Sequence, residues 1–411
     1  MASRAMTPPR NLLFFFGLAY FSQGLAGTLI QQPLAYHLKS DGMAAHHVAQ
    51  ALAFVAIPWL VKPLYGLISD SIPLLGYRRK SYLVLAAALS TLGYVTMSWL
   101  ETSHAILTVL LVTTLGIAAM DVLVDALMVE EGQKTGLIGQ FQGQQWTWLN
   151  IASITAAALG GWLIEVSTPA GAVQWAALLI AFAPLAVLAS TLRLIEERRV
   201  AITEPLLVSM SQHMMIAVTS KRVWVMAGFL AFWNLTPNFS LPLYYHMTDQ
   251  LQFGQGFIGQ LHAIGAAAAA LGAYAYRKYL VEAIPLRFLL VLSIALSAAT
   301  AFSYVLLSGR TSAHLLHIVS GVVSMIALLT FFSLAASVCR AESAAFTFAL
   351  LMAIYSIAGQ VSAVASAHLY QEVFGQNITL LILTAGCFTL FAFLWIPILP
   401  VDQPKAYARA A

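Results

Sequence analysis

The chain is poor in charge, poor in cysteine and without the short motifs of soluble catalysis, and each shortage excludes something. Only 9% of its 411 residues are charged, against roughly 25% in a soluble domain, so it lacks the polar groups to cover a globule in water. The two cysteines, Cys339 and Cys387, lie far apart with no C-x-x-C or metal-ligand spacing, which argues against a disulfide framework or a metal centre. There is no H-E-x-x-H, no G-x-S-x-G and no Walker A loop, which disfavours an intramembrane hydrolase and an ATP-driven pump. His314 and His317 have i, i+3 spacing but no cysteine or carboxylate beside them, so neither a metal nor a cofactor is expected. The short alternating segments of a membrane β-barrel are missing too. No small-residue cleavage site follows the first apolar run, which is therefore expected to be a mature span.

What the chain has instead is apolar length. Hydrophobic residues make up 60% of it, mean hydropathy is +0.82, and runs of about 20 residues recur, each enough to cross a hydrocarbon core of ~30 Å as a helix. The breaks between runs predict an all-α membrane protein of twelve transmembrane helices at 11–37, 46–69, 81–100, 104–128, 137–165, 172–192, 222–247, 255–279, 285–307, 312–337, 344–369 and 376–399. The long connection carrying Glu196, Glu197, Arg198, Arg199 and Glu204 divides the chain near its midpoint. It implies a six-helix half at 1–192, a cytoplasmic linker at 193–221 and a second six-helix half at 222–411. With the N-terminus inside, seventeen basic residues from Arg4 to Arg409 sort to one side, only Lys39 and Arg310 fall outside, and Lys62 lies within a span. Both ends are then cytoplasmic. The net charge of +4 is thereby explained by topology rather than by nucleic acid.

Two connections resemble one another. Gly66-Leu-Ile-Ser-Asp70 through Gly76-Tyr-Arg78-Arg79-Lys80 joins spans 2 and 3, and Gly272-Ala-Tyr-Ala-Tyr-Arg277-Lys278 joins spans 8 and 9 roughly 200 residues later. Two similar halves are what alternating access requires, with substrate held between them near the midplane. In the first loop Gly66 and Gly76 allow close approach and a tight turn. Asp70 can accept hydrogen bonds from neighbouring amides or pair with Arg78, Arg79 or Lys80. Such a charged latch can close in one state and open in another; the plainer reading is that Arg78, Arg79 and Lys80 set topology.

These residues carry a resemblance. The G-x-x-x-D and G-x-R-R-K elements resemble the loop signature of the major facilitator superfamily. The longer stretch from Lys62 to Tyr82 is similar to the folate–biopterin transporter family within it. Tyr20-Phe-Ser-Gln23-Gly24-Leu-Ala-Gly27, Asp121-Val-Leu-Val-Asp125-Ala-Leu-Met-Val-Glu130 and Phe348-Ala-Leu-Leu-Met352 are similar to the same family. The resemblance implies a proton-coupled importer of an anionic, ring-containing solute such as folate or a pterin, working as a monomer in a bacterial inner membrane. Neighbouring families carry muropeptides or siderophores, and the same fold also exports.

Inside the spans, ionisable residues are costly and face a cavity or a partner. Lys62 is the single base and Asp121 and Asp125 the only acids placed there, with Asp70 at a boundary. Spans 2 and 4 run in the same direction. Lys62 lies about 16 residues into one and Asp121 about 17 into the other, roughly 25 Å along each helix. Asp125 follows one turn deeper. A Lys62–Asp121 pair that responds to protonation suits proton coupling, and a freed Lys62 suits a substrate carboxylate. A static ion pair is the alternative. Gln23 and Gln31 in span 1, Gln142, Gln145, Trp146 and Asn150 in span 5, and Asn234 and Asn238 around Pro237 in span 7 are the expected substrate-facing amides and rings. Each could equally glue helices together. His262 reads as a core histidine rather than a proton relay, and Tyr244 and Tyr245 as interface anchors.

Overall fold

The computed structural model describes residues 10–43, 51–52, 54–199 and 206–400. The start of the predicted second span, Arg4, Glu204, Lys405 and Arg409, and the side chains of Lys39 and Tyr245 lie outside them. Among the described residues, helix is the only regular structure beyond one isolated bridge between Leu74 and Tyr77. In lipid a helix satisfies every backbone donor and acceptor within its own segment, so apolar composition and helix go together. Among the described residues, nine helices are long and apolar enough to span a bilayer, or up to ten when a bent pair is counted as one span. Lys80–Met97, 18 residues long, reaches about 27 Å.

The chain divides into two compact units: Met1–Ala217 with Arg340–Ala349, and Val218–Cys339 with Leu350–Ala411. The first contains α1 (Arg10–Thr28), α2 (Gln31–Ser40), α3 (Ile57–Leu60), α4 (Lys62–Ser71), α5 (Lys80–Met97), α6 (Ser103–Thr135), α7 (Ile138–Val166), α8 (Pro169–Leu194) and the linker helix α9 (Leu206–Val218). Helix α1 packs along α7, and α5 lies between α6 and α8. The second holds α10 (Lys221–Asn234), α11 (Ser240–Tyr245), α12 (Gln255–Ala275), α13 (Leu286–Ser303), α14 (Arg310–Val338), most of α15 (Ala344–His368) and α16 (Ile378–Phe391).

Three departures from the predicted spans have local causes. The second span is interrupted at Val61, between Pro58 and Pro63, each in the first turn of a short helix. Proline is tolerated there because those amides have no intrahelical partner, but it cannot continue the ladder of the helix before it. Lys62 is thus the first residue of a restarted helix. The seventh span breaks after Asn234 and resumes at Ser240 across Pro237. The linker, expected only as a charged connection, contains the helix α9.

Candidate functional site

The intramembrane charges of the first unit converge. Lys62 Nζ lies 2.6 Å from Asp121 Oδ2, and the two side chains are 19% and 4% exposed. The ammonium also sits 4.5 Å from the Trp59 ring centroid, where the ring face favours a cation. One turn along α6, Asp125 accepts a 2.5 Å hydrogen bond from the Tyr20 hydroxyl on α1. The group thus holds two buried carboxylates and one ammonium, which is paired with Asp121 alone, and with both carboxylates ionised it carries a net charge of −1. One additional proton makes it neutral. A narrow cleft runs beside it, lined by Ala19, Tyr20, Gln23, Ile117, Met120, Asp121 and Val124.

The amides behave differently from one another. Gln145 is fully buried, and neither its Oε1 nor its Nε2 has a hydrogen-bond partner. Gln23 Oε1 is likewise buried without one. An unsatisfied buried amide costs about 1–3 kcal/mol. Trp146 stands next to this region, its ring 6.4 Å from that of Tyr20, and Gln142 is buried on the same helix. Asn150 instead donates to the Trp146 carbonyl of its own helix at 2.7 Å. Gln31 is exposed at the start of α2. In the second unit Asn234 donates to the Tyr355 carbonyl at 2.7 Å, while Asn238 Oδ1 accepts from the Ser240 amide at 2.9 Å. The Asn238 amide donates to Ser366, and Ser362 donates to the Thr236 carbonyl. Those bonds tie the broken seventh span to α15 and satisfy backbone groups freed at Pro237.

The second cluster is the loop between α4 and α5. Arg79 is almost completely buried and reaches Asp70 Oδ1 at 2.5 Å, Glu130 Oε1 at 2.6 Å and Ser69 Oγ at 2.6 Å. Burial pulls the guanidinium pKa down, but Asp70 and Glu130 outweigh it and hold the value above that of ordinary arginine. The other Asp70 oxygen accepts from the Phe346 amide at 2.9 Å, in the first turn of α15, where a carboxylate satisfies an orphan donor. Gly66 makes this approach possible: a Cβ there would lie 2.6 Å from the Ala345 carbonyl group. Gly76 takes φ +85°, a turn conformation that side chains resist. Glu197 of the linker accepts from the Arg78, Arg79 and Lys80 amides at 2.7, 3.1 and 2.8 Å and caps α5. Lys80 Nζ donates to the Ile195 carbonyl past the end of α8 at 2.8 Å.

The sequence reading missed Tyr20 as a partner of Asp125, as well as Glu130, Glu197 and the Phe346 amide. Tyr20 and Glu130 stood in the stretches that carried the family resemblance, and Glu197 in the charged linker. A backbone amide leaves no signature in side-chain identity.

The BT1 family model matches residues 23–406. A "Folate-biopterin transporter" of Synechocystis is 28% identical, covering 94% of this chain and 81% of that protein. "Folate transporter 2" of Plasmodium falciparum is 24% identical over 90% of this chain and 84% of its own length. Among solved structures, the major facilitator superfamily transporter FucP in its outward conformation aligns with TM-score 0.73 at 13% identity, covering 95% of this chain and 99% of FucP. The human organic anion transporter MFSD10 aligns at 0.70 and 14%, covering 95% and 100%. A chain of apolar helices whose Lys62–Lys80 signature contributes to two charge clusters, matched from residue 23 to residue 406, belongs to the BT1 family of folate–biopterin transporters and has the major facilitator superfamily fold.

Proposed function

We propose that this protein is a proton-coupled importer of an anionic heteroaromatic solute of the folate or pterin class, working as a monomer by alternating access in a bacterial inner membrane with both termini in the cytoplasm. The observation that carries the reading is the group of Lys62, Asp121, Asp125 and Tyr20, which sets two carboxylates against one ammonium inside a span and is one proton short of neutrality whenever both carboxylates are ionised. Burying net charge in hydrocarbon is costly, so taking up one proton, or an anionic substrate at Lys62 together with protons, changes which state is favoured. Lys62 is the more exposed partner of its pair and the one suited to meet a substrate carboxylate. Gln23, Gln145 and Trp146 supply amide and ring surface for a flat heterocycle. The relatives named as a folate–biopterin transporter and a folate transporter support the cargo class.

The Asp70–Arg79–Glu130 cluster, with its bond to Phe346, serves as a latch that holds one conformation. Purified protein in proteoliposomes tests the reading. Labelled folate and biopterin are offered with and without an inward proton gradient, beside muropeptide and ferric-siderophore candidates. Gradient-stimulated uptake of the pteridines, lost in Asp125→Asn and weakened in Lys62→Ala, is expected. Full gradient-stimulated uptake retained in both variants would sink the coupling, and uptake of another cargo alone would overturn the substrate class.

A further inference from the structure

The two similar loops differ in one consequential way. Four residues after Gly66 stands Asp70; four residues after Gly272 stands Tyr276. Each glycine lies against a neighbouring backbone: a Cβ on Gly272 would lie 2.8 Å from the Val322 carbonyl oxygen. The second loop has thus kept the close approach and lost the carboxylate. Tyr276 is buried and bonded to Ser333 through its hydroxyl at 2.9 Å, leaving Arg277 and Lys278 without the anion that Arg79 has. Neither forms an ion pair among the described residues, and the Arg277 Nε is buried without a hydrogen-bond partner.

What surrounds these bases is aromatic. The Lys278 ammonium accompanies the Tyr274 and Tyr279 rings at 5.3 and 5.2 Å and donates to the Tyr274 hydroxyl at 2.9 Å. The Arg277 guanidinium lies 5.5 Å from the Tyr274 ring. The group closes the membrane-crossing helix Phe257–Ala283, at the end that basic-residue sorting assigns to the cytoplasm. Leu271 on the same helix is 66% exposed, and Phe288, at the start of the following span, 57%. Large apolar side chains left bare before and after the basic pair suit contact with lipid, which puts the cationic group near the boundary between acyl chains and headgroups.

We propose that Tyr274, Arg277, Lys278 and Tyr279 form a binding site for the phosphate of an anionic phospholipid headgroup, which supplies the counter-charge that Asp70 and Glu130 supply in the first half. Lys278 keeps donors beyond the one given to Tyr274, Arg277 keeps its guanidinium hydrogens, and the tyrosine rings fit the depth at which aromatic belts lie. Lipid is favoured over a soluble phosphate because the bases are flanked by exposed apolar surface.

Native mass spectrometry of the full chain, delipidated in detergent and titrated with short-chain phosphatidylglycerol or phosphatidylcholine, tests this. Tighter retention of phosphatidylglycerol is expected, and Arg277→Gln with Lys278→Gln should weaken it about 30-fold, since each base near an anionic surface contributes about five-fold. Lys134→Gln, which removes an exposed lysine of the first unit, should leave it unchanged. If the double variant is not monodisperse, Lys278→Gln alone serves, with about five-fold loss expected. Equal retention of both lipids, unchanged binding in the variants, or displacement of the lipid by millimolar inorganic phosphate would overturn the proposal.

Discussion

Arg79 and Asp70 should differ sharply in what their removal costs, although they share one ion pair. Arg79→Met strands two carboxylates, Asp70 with no exposed surface and Glu130 with 20%. Removing one partner of a buried pair leaves an uncompensated charge, at about 3–5 kcal/mol. Asp70→Asn strands less. Arg79 keeps Glu130 and Ser69 as partners, so no bare charge remains. An asparagine has one acceptor oxygen where the carboxylate uses two, so it can serve Arg79 or the Phe346 amide but not both. One hydrogen bond to a charged group is lost, about 1.5–3 kcal/mol.

The double variant decides the matter. With Arg79 gone, Asp70 is a buried charge without its cation, so replacing it by asparagine removes a liability. The two costs should therefore not add, and a coupling energy of about 2 kcal/mol is expected for residues in direct contact. Denaturant titration of the purified protein in mixed micelles, run on both single variants, the double variant and the parent, measures it. Equal costs for the single variants would refute the assignment of Glu130 as the second partner. Strict additivity would refute the ion pair as the unit holding this loop.

Three further outcomes follow from the same geometry. Tyr20→Phe removes the hydroxyl that binds Asp125 and should shift the pH dependence of uptake while the folded yield stays near that of the parent; an unmoved profile argues against Tyr20 as a partner in coupling. Gly66→Ala places a methyl group 2.6 Å from rigid Ala345 backbone and should lower the melting temperature, whereas Gly27→Ala, where a Cβ would meet nothing within 4 Å, should not. His213 on the linker helix α9 meets Ser71 Oγ at 3.2 Å, and burial, helped by Arg78 and Arg79 and opposed by Asp70 and Glu342, lowers its pKa below the ordinary value. A depressed histidine favours the neutral form in the folded state, so its stabilisation is full above about pH 6.5 and is lost as pH falls through the folded pKa. Melting temperatures between pH 7.5 and 5 should fall less in His213→Asn than in the parent.

The parts of this molecule that could be read in advance are those in which physics acts on neighbours in sequence. Hydrocarbon thickness sets the length of an apolar run. Two spans of the same direction let Lys62 and Asp121 be set at one depth by counting residues. The prolines were equally visible. Pro58 and Pro63 flank the interruption at Val61, yet periodicity spoke for one continuous span, because a membrane helix can absorb a proline when neighbours re-satisfy its backbone. What could not be read joins groups whose separation in sequence carries no pattern. Tyr20 meets Asp125 across 105 positions and Asp70 meets Phe346 across 276. The second of these uses an amide that every residue except proline possesses. Glu197 stands in the charged linker, and its sequence position gives no sign that the turn at Gly76 brings three amides to face it. The two loops resemble one another in sequence, but a single exchange, Asp70 against Tyr276, separates a loop that closes on its own carboxylate from one whose bases are left for something outside the chain.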